Sequence, residues 1–247
     1  MGGNTSKRNE SGRFPPQTLS FLAQLKRHNN RPWFQLHKED YERYVKQPMQ
    51  ELVLRIGEAF QRFAPEMVAE PKASIYRIYR DTRFSPDKTP YKTHVAAVFP
   101  VRGLPKNSGP GLYFHVSAEE VLMGGGIYMP DPSLLHAVRE QIATYPRKFL
   151  RIVESPAFRR AFGELEGEQL RSMPRGFSAD NGAARYLRYK QFLFGEQYPA
   201  KLACSARLLP TLLACFEKGM PLIRFLKEPA ARAVAITQAQ ELTPPDW

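Results

Sequence analysis

The sequence predicts an α+β fold, with an antiparallel sheet of about four strands packed against helices from both ends of the chain. Apolar residues recur at helical spacing in the first quarter of the chain and again after residue 130. Between these regions, short runs rich in Ile, Val, Tyr and Phe are separated by Gly, Pro, Asp or Asn, which is typical of strands and turns. With 43% hydrophobic residues among 247, the chain can bury the core of one large domain.

The first quarter is predicted to be helical. Leucines recur every third residue from Leu19 to Leu25 and indicate one apolar helix face. A second helix begins at Pro32, since a proline's missing N–H needs no partner in the first turn. Pro48 restarts or kinks that helix, and helical spacing continues beyond it.

The middle of the chain is predicted to supply the sheet. Four segments have the β-branched and aromatic content of strands, and short turns separate them. The most clearly indicated pairing is a hairpin from 111 to 129 that turns at Ala118 and Glu119. The four predicted strands are residues 73–79, 93–101, 111–117 and 120–129.

Helices are predicted to return after the sheet. Asp131 and Ser155 each precede a proline, a pattern in which the side chain caps a helix and the proline opens it. Further helices are predicted over 181–194 and over 202–228, the second with a break at Pro210 and another near its Gly-Met-Pro triplet.

The chain is predicted to form one domain with two tails. Residues 17–228 contain no repeat or linker and form the predicted domain. A disordered tail over 1–16 precedes it, and a loosely ordered tail over 229–247 follows it. The N-terminal tail matches the Met-Gly-x-x-x-Ser pattern of N-myristoylation on Gly2, a short pattern that a plain tail also satisfies.

The protein is expected to be soluble and cytoplasmic. No apolar run approaches the ~18 residues needed to span a bilayer, and the N-terminus lacks the apolar segment of a secretory signal. Cys204 and Cys215 lie on a predicted helical stretch, about 16 Å apart at a rise of ~1.5 Å per residue. They are therefore expected to be free thiols in a reducing compartment.

The net charge of +12 favours an anionic partner, such as a phosphorylated small molecule or nucleic acid. The charge is densest over residues 77–94, RIYRDTRFSPDKTPYKTH, with five Arg or Lys residues but only two Asp. Guanidinium and ammonium groups beside a tyrosyl hydroxyl suit a phosphate or carboxylate ligand. The predicted ligand-binding residues of this basic stretch are Arg77, Arg80, Arg83, Lys88, Tyr91 and Lys92.

The basic stretch also has a structural interpretation, in which Asp81 and Asp87 pair with arginines and pin the loop. Two carboxylates cannot neutralise five cations, so part of the charge must face solvent, acids elsewhere in the fold, or a ligand. Both interpretations stay open from the sequence alone.

The glycine run Gly124 to Gly126 is not a phosphate-binding loop, because Ile127 follows where the Walker pattern requires Gly-Lys-Ser/Thr. Glycines inside a strand mark a bulge or a close approach of another backbone or of a ligand. If the hairpin lies beside the strand that carries Arg77, Gly125 is expected to line the same pocket.

Candidate catalytic residues are Asp81, Asp87 and His115, which could act as acids or bases beside the arginines. His94 and His115 fall on predicted strands that could be neighbours. No HExxH or paired-Cys pattern indicates a metal site, and no Gly-x-Ser-x-Gly elbow indicates acyl transfer. The sequence leaves the cofactor and the oligomeric state unknown.

Five segments, occurring in order over roughly residues 18–228, resemble the DUF2461 family of uncharacterised proteins. The resemblance implies a conserved domain and supplies no activity, cofactor or catalytic residue. This chain carries His37 and His94 where members of the family often carry Asn. The five segments are LSFLAQLKRHNNRPWF, RIYRDTRFSPDKTPYKTH, GLYFHVS, GGGIYMP and MPRGFSADNGAARYLRYKQF.

The functional hypothesis that follows is recognition of a phosphorylated small molecule or nucleotide through the basic stretch. Two alternatives use the same residues. One is a nucleic-acid-associated binding module, in which exposed aromatic rings stack on bases. The other is a hydrolase or transferase, in which a candidate acid or base works beside the arginines.

Overall fold

The computed structural model describes residues 12–242, and side chains as far as residue 236. Most of the predicted N-terminal tail, including Gly2, lies outside that range, as do residues 243–247. The predicted fold class is confirmed, because helices from both ends of the chain pack on a four-stranded antiparallel sheet.

Proline opens most of the helices, since its missing N–H needs no partner in the first turn. A π-helical turn (Glu42–Lys46) precedes α4, and a 3-10 turn (Ala200–Cys204) precedes α10. The helices are α1 (Pro16–Arg27), α2 (Arg31–Leu36), α3 (Lys38–Tyr41), α4 (Gln47–Phe63), α5 (Pro71–Ser74), α6 (Pro132–Thr144), α7 (Pro146–Val153), α8 (Pro156–Phe162), α9 (Ala184–Leu187) and α10 (Leu208–Leu242).

The strands follow one another across the sheet in chain order, each antiparallel to its neighbour. The predicted hairpin is confirmed: its turn is closed by the Ser117 hydroxyl, which accepts the N–H groups of Glu119 (3.1 Å) and Glu120 (3.0 Å). The strands are β1 (His94–Pro100), β2 (Gly111–Ser117), β3 (Glu120–Ile127) and β4 (Phe192–Pro199).

One face of the sheet forms the core with the helices. Phe99 of β1 packs edge-on against Phe60 of α4 and Phe216 of α10, with ring centroids 5.4 and 5.7 Å away. At the opposite edge of the sheet, the ring of Phe194 in β4 packs against the ring of Phe162 in α8, with centroids 4.6 Å apart. Burying side chains of this size contributes roughly 1.5–3 kcal/mol each, so the aromatic layer fixes the helices on this face.

Residues 73–79, predicted to be a strand, are not a strand of the sheet. The segment begins in α5, and Ile75 makes a single bridge to Ala97 of β1. Beyond Tyr76, the main chain bonds to the basic stretch instead of continuing along β1: the carbonyl of Ile78 accepts the N–H of Lys92 at 2.8 Å.

The fourth strand is β4, which begins inside a segment predicted to be helical (181–194). Phe192 and Phe194 are buried while Leu193 between them is partly exposed, which is the period-two pattern of a strand. The pattern is short, and the helical spacing of the residues before it outweighs it in the sequence.

The stretch predicted to be helical from residue 202 is interrupted at 205–207, close to the break predicted at Pro210, and α10 begins at Leu208. From there α10 continues without interruption through the second predicted break near Pro221 and past residue 228, where the domain was expected to end. Pro210 lies in the first turn and therefore costs no hydrogen bond. Pro221 and Pro229 lie inside the helix, but buried residues flank both of them, and their packing holds the helix together.

The sequence predicts that the two cysteines are free thiols and that no segment spans a membrane. Cys204 and Cys215 are both free thiols. No helix in the described range is both long enough and apolar enough to cross a membrane.

The face of the sheet opposite the helices carries polar side chains. Phe114 points into the core, so Tyr113 and His115, its neighbours along β2, point to the opposite face. Both are partly buried. The basic stretch borders this face at β1, where Tyr76 donates its N–H to the carbonyl of Ala96 at 3.0 Å.

Candidate functional site

The basic stretch folds back on itself before β1 begins. Arg80 donates its N–H to the carbonyl of Pro90 at 2.9 Å, and Tyr79 bridges to Tyr91. The side chain of Asn29, which lies between α1 and α2, accepts the N–H of Tyr91 at 3.0 Å and donates to its carbonyl at 2.9 Å. The stretch is therefore a closed loop held against the N-terminal helices.

The tip of this loop (residues 80–89) pairs both of its arginines with its own aspartates. Arg80 donates to the carboxylate of Asp87 and to the hydroxyls of Thr89 and Ser85, the last at 3.3 Å. The N–H of Thr89 also donates to Asp87 at 2.9 Å. These bonds, first from Thr89 and then from Arg80, lower the pKa of Asp87 to about 2.

A second pair lies beside it at the loop tip. Arg83 donates to both carboxylate oxygens of Asp81, at 3.0 and 2.8 Å, although its side chain is 77% exposed. Hydrogen bonding from Arg83 lowers the pKa of Asp81 to about 2. Asp81 and Asp87 are thus ionised near neutral pH and pair with arginines, so neither is a proton donor there.

Two predicted ligand-binding residues are held inside the loop or the core. Lys88 donates its ammonium to the carbonyl of Thr82 at 2.9 Å. Tyr91 is only 1% exposed and stacks on Phe34 of α2, with ring centroids 4.1 Å apart. The prediction that the Tyr91 hydroxyl meets a ligand at the surface is therefore corrected: its ring anchors the loop to the core.

Gly125 does not line a pocket with Arg77. It lies on β3, and β2 separates β3 from β1, which borders the loop. The run allows close approach of β4: a Cβ at Gly124 would lie 2.0 Å from the carbonyl oxygen of Phe194. The physical reason for these glycines is therefore the spacing of two strands.

Two of the remaining cations, Lys92 and Lys106, lie against the ring of Tyr76, and Arg77 lies beside Lys92. We call these three residues the cationic cluster. The ammonium of Lys92 lies 5.1 Å from the ring centroid of Tyr76, and that of Lys106 lies 4.6 Å from it. Burial, then the charges of Arg77 and Lys106, lower the pKa of Lys92. Burial also lowers the pKa of Lys106.

The cationic cluster has no carboxylate of its own. Lys92 donates to the carbonyl of Arg77 at 3.0 Å, and Lys106 donates to that of Ala73. Among residues 12–242, none of the three cations forms an ion pair. The charge of Arg77 contributes to the lowered pKa of Asp81, but that carboxylate is already paired with Arg83. Sequence reasoning missed Lys106 because it lies on the β1–β2 connection, and only the fold brings it to Tyr76.

A chain of hydrogen bonds crosses the polar face of the sheet beside the cluster. The Tyr113 hydroxyl lies 3.1 Å from Nδ1 of His115, and Nε2 of His115 lies 3.2 Å from Oε1 of Glu120. Gln197 donates its amide to the second oxygen of Glu120. We call these four residues the tyrosine relay. Of its members, only His115 was a candidate from the sequence.

The environment of the tyrosine relay keeps its rings neutral. Burial lowers the pKa of His115, and hydrogen bonding to Glu120 opposes this without reversing it. The ring of His94 lies 4.9 Å from that of His115, and burial, then His115 and Lys92, lower the pKa of His94 to about 4. Burial, with a smaller effect of Tyr76, raises the pKa of Tyr113.

The tyrosine relay and the cationic cluster are neighbours. Tyr76, the ring that two of the cations contact, donates its N–H to the carbonyl of Ala96 at 3.0 Å, and Ala96 pairs with His115 across β1 and β2. A signal for half of the relay is present in the sequence, since Tyr113 and His115 are two residues apart on a predicted strand and must share a face. Glu120 and Gln197 depend on the strand register.

A groove with a volume of about 660 Å³ lies elsewhere, between β4 and the start of α10. None of the residues singled out in the sequence for ligand binding or catalysis lines it. At its floor is the thiol of Cys215, whose pKa is raised by burial. Within the described range, no group of three or more His, Cys, Asp or Glu side chains is arranged to hold a metal ion.

Comparison with known proteins places the chain beside a family without an assigned activity. Residues 17–225 match the sequence model of a family described as "Conserved hypothetical protein (DUF2461)". The match covers most of the chain and confirms the resemblance predicted from its five segments. No curated protein and no solved structure matches the chain.

Proposed function

The chain belongs to the DUF2461 family, and from its site we propose that it binds a phosphorylated small molecule or nucleotide on the cationic cluster. The observation that carries the proposal is the position of Lys92 and Lys106 against the ring of Tyr76, with Arg77 beside Lys92 and no paired carboxylate in the described residues. Like charges held together repel one another, and a bound anion would offset that repulsion.

The donor inventory of the cluster supports the same proposal. An ammonium carries three N–H donors, and each lysine of the cluster has one protein acceptor. The guanidinium of Arg77 makes no side-chain hydrogen bond to the described residues. A phosphate with two charges and several acceptor oxygens uses these free donors more fully than a single carboxylate does.

The proposal retains Arg77 and Lys92 from the sequence prediction and adds Lys106. Arg80 and Arg83 are left out because aspartates pair with them, and Lys88 is left out because its ammonium contacts Thr82 at the loop tip rather than the ring of Tyr76. Asp81 and Asp87 keep the role of pairing partners.

Single-stranded nucleic acid is the second candidate, favoured by exposed rings next to the loop cations. Phe84 is 92% exposed, and the guanidinium carbon of Arg83 lies 5.7 Å from its ring centroid. Stacking on such rings combined with phosphate contacts is a common mode of single-strand binding. Binding of this kind falls steeply with salt, because each phosphate contact releases counterions.

Thermal unfolding in the presence of candidate anions tests the proposal. The panel contains phosphate, sulfate, pyrophosphate, sugar phosphates, nucleotides and short single-stranded DNA and RNA, each at two salt concentrations. A ligand at one hundred times its Kd stabilises by about 2.7 kcal/mol, which shifts Tm by about 5–10 °C for a domain of this size.

Two lysine variants form a matched pair for this experiment. Lys106→Gln removes a charge from the cluster, whereas Lys88→Gln removes one from the loop tip, and each lysine has one main-chain acceptor. We expect a phosphorylated ligand to shift wild type and Lys88→Gln equally and Lys106→Gln much less. Equal shifts in both variants, or no shift of wild type with any anion, would contradict the proposal.

A further inference from the structure

We propose that Tyr113 is a nucleophile that accepts a phosphoryl group, with His115 as its base and with Glu120 and Gln197 as positioning residues. The inference rests on the proposed function, because the cationic cluster would hold the phosphate of the substrate next to the tyrosine relay. The substrate class is a phosphate monoester, such as a sugar phosphate or a nucleotide.

The hydrogen bonds of the tyrosine relay define where its protons lie. A carboxylate only accepts hydrogen bonds, so Nε2 of His115 carries the proton that it shares with Glu120. Nδ1 of the neutral imidazole is then unprotonated and accepts the hydroxyl proton of Tyr113. Gln197 holds the other oxygen of Glu120, which fixes the carboxylate toward the imidazole. The carboxylate, the imidazole and the hydroxyl thus stand in the order used to activate a hydroxyl nucleophile.

The engagement of both imidazole nitrogens restricts what His115 can do. Neither nitrogen is open to hold a water molecule directly, so the base acts on the proton of Tyr113. Its side chain is 15% exposed, which limits access of solvent to the ring. The phenol oxygen is therefore the end of the relay that can meet a substrate, and tyrosine forms covalent intermediates in catalysis.

The surroundings of the relay suit a dianionic substrate. Tyr76, whose ring Lys92 and Lys106 contact, donates its N–H to the carbonyl of Ala96, and Ala96 pairs with His115 across β1 and β2, so the cluster borders the sheet beside the relay. His94, on the neighbouring strand, has its pKa lowered to about 4 and stays neutral beside His115. The titratable groups facing His115 are thus His94 on β1, Tyr113 on β2 and Glu120 on β3.

In the first step, the Tyr113 oxygen bonds to the phosphorus of the monoester while its proton moves to Nδ1 of His115. The bond between phosphorus and the alcohol oxygen breaks on the far side of the phosphorus, and that oxygen takes a proton from solvent while Nδ1 keeps the proton of Tyr113. In the second step, water attacks the phosphorus from the side opposite Tyr113 and releases a proton to solvent, while Nδ1 returns the proton of Tyr113 to the phenolate as the phosphorus–phenol bond breaks. The products are the alcohol and inorganic phosphate, and every protein group returns to its starting state.

The test uses the full chain with p-nitrophenyl phosphate, sugar phosphates and nucleotides as probes. Rapid acid quench and peptide mapping determine whether residue 113 gains one phosphoryl group, and phosphate release measures turnover. We expect the wild type to be phosphorylated at Tyr113 and Tyr113→Phe to lose turnover entirely. Tyr145→Phe, which changes an exposed tyrosine between α6 and α7, is the control and should keep the wild-type rate.

Two variants test the roles assigned to the other relay members. Removal of a general base costs about 10²–10⁴-fold in rate, and we expect a loss in this range for His115→Asn. Glu120 raises the pKa of His115, so Glu120→Gln should move the acid limb of the pH–rate profile to lower pH as well as slow turnover. A structural role for Glu120 would lower the rate without moving that limb.

The outcomes separate this inference from the proposed function. Probes that shift Tm of the wild type without phosphorylating Tyr113 would overturn the inference and leave anion binding standing. Turnover that survives in Tyr113→Phe would also overturn it. A wild type that shows neither a Tm shift nor phosphorylation with any probe would overturn both. The mapping of residue 113 in the wild type decides the matter even where a variant fails to fold.

Discussion

The basic stretch has two parts that carry the same kinds of residue and differ in what surrounds them. At the loop tip, Arg80 and Arg83 each have an aspartate, and the charge is satisfied within a few residues of chain. At the base of the loop, the cationic cluster has no carboxylate partner in the described residues, and burial, then the charges of Arg77 and Lys106, lower the pKa of Lys92. The number of charges in the sequence indicates which segment could bind an anion, whereas the lack of a carboxylate partner in the structure indicates which cations are available to a ligand.

The largest effect should come from Tyr91, which joins the two parts of the loop to the core. Tyr91→Ala removes a buried ring stacked on Phe34, and truncation of a buried aromatic costs about 3–5 kcal/mol. Urea unfolding measures the loss. Tyr91→Phe keeps the ring and should retain both stability and anion binding; a selective loss of binding in this variant would return the hydroxyl to the ligand site.

A smaller loss of stability should follow from truncation of Arg80, the less exposed arginine of the loop tip. Arg80 is 25% exposed and bonds to three side chains of the tip, so Arg80→Ala leaves Asp87 and two hydroxyls without their shared donor. We expect a lower Tm with the anion-induced shift unchanged. If Arg80→Ala abolished that shift at unchanged stability, the tip would be part of the binding site.

The pH dependence of stability tests the region between the cluster and the relay. The pKa of His94 falls from 6.5 to about 4 on folding, so the unfolded chain binds the proton more readily. The contribution of His94 to stability is therefore fully present above pH 6.5 and is lost as pH falls toward 4. The lowered pKa of His115 contributes in the same direction. His94→Gln should flatten the profile of unfolding free energy in this window.

The control for that profile is His136→Gln, since the side chain of His136 is 60% exposed and pairs with Glu140 at the surface. We expect this variant to follow the wild type between pH 4 and 6.5. A His94→Gln profile as steep as that of wild type would show that His94 is not protected from protonation in the folded protein.

The smallest effect should come from Arg83, the exposed member of the tip. Its pair with Asp81 is screened by solvent, and exposed ion pairs contribute little to stability. Arg83→Ala should leave both Tm and the anion-induced shift unchanged in thermal unfolding. A marked fall in either quantity would mean that the two parts of the loop are not separate in function.

The elements that the sequence predicts well are those that depend on neighbouring residues. The hairpin of β2 and β3 needs only alternation and a two-residue turn, and it is found where it was predicted. The strand β4 was missed because Phe192 and Phe194 give only a short period-two signal beside residues with helical spacing. Helix α10 was predicted to break because the packing that holds it through Pro221 and Pro229 cannot be read from local pattern.

The candidate site shows the same limit. Arg77 and Lys92 could be singled out because the charge is dense in sequence, yet nothing local distinguishes them from Arg80 and Arg83. Lys106 joins them only through the path of the β1–β2 connection. The relay needs the register that sets Gln197 beside Glu120, a long-range fact that no spacing in the chain contains.

The most direct test of the central claim is an NMR titration of the Lys92 ammonium, with and without pyrophosphate. The account predicts a pKa below the ordinary lysine value of 10.5 in the free protein, because burial, Arg77 and Lys106 oppose its charge. It also predicts that pyrophosphate raises this pKa, since a nearby anion favours the charged form. An ordinary pKa that pyrophosphate does not move would contradict the claim that the cationic cluster is an anion site.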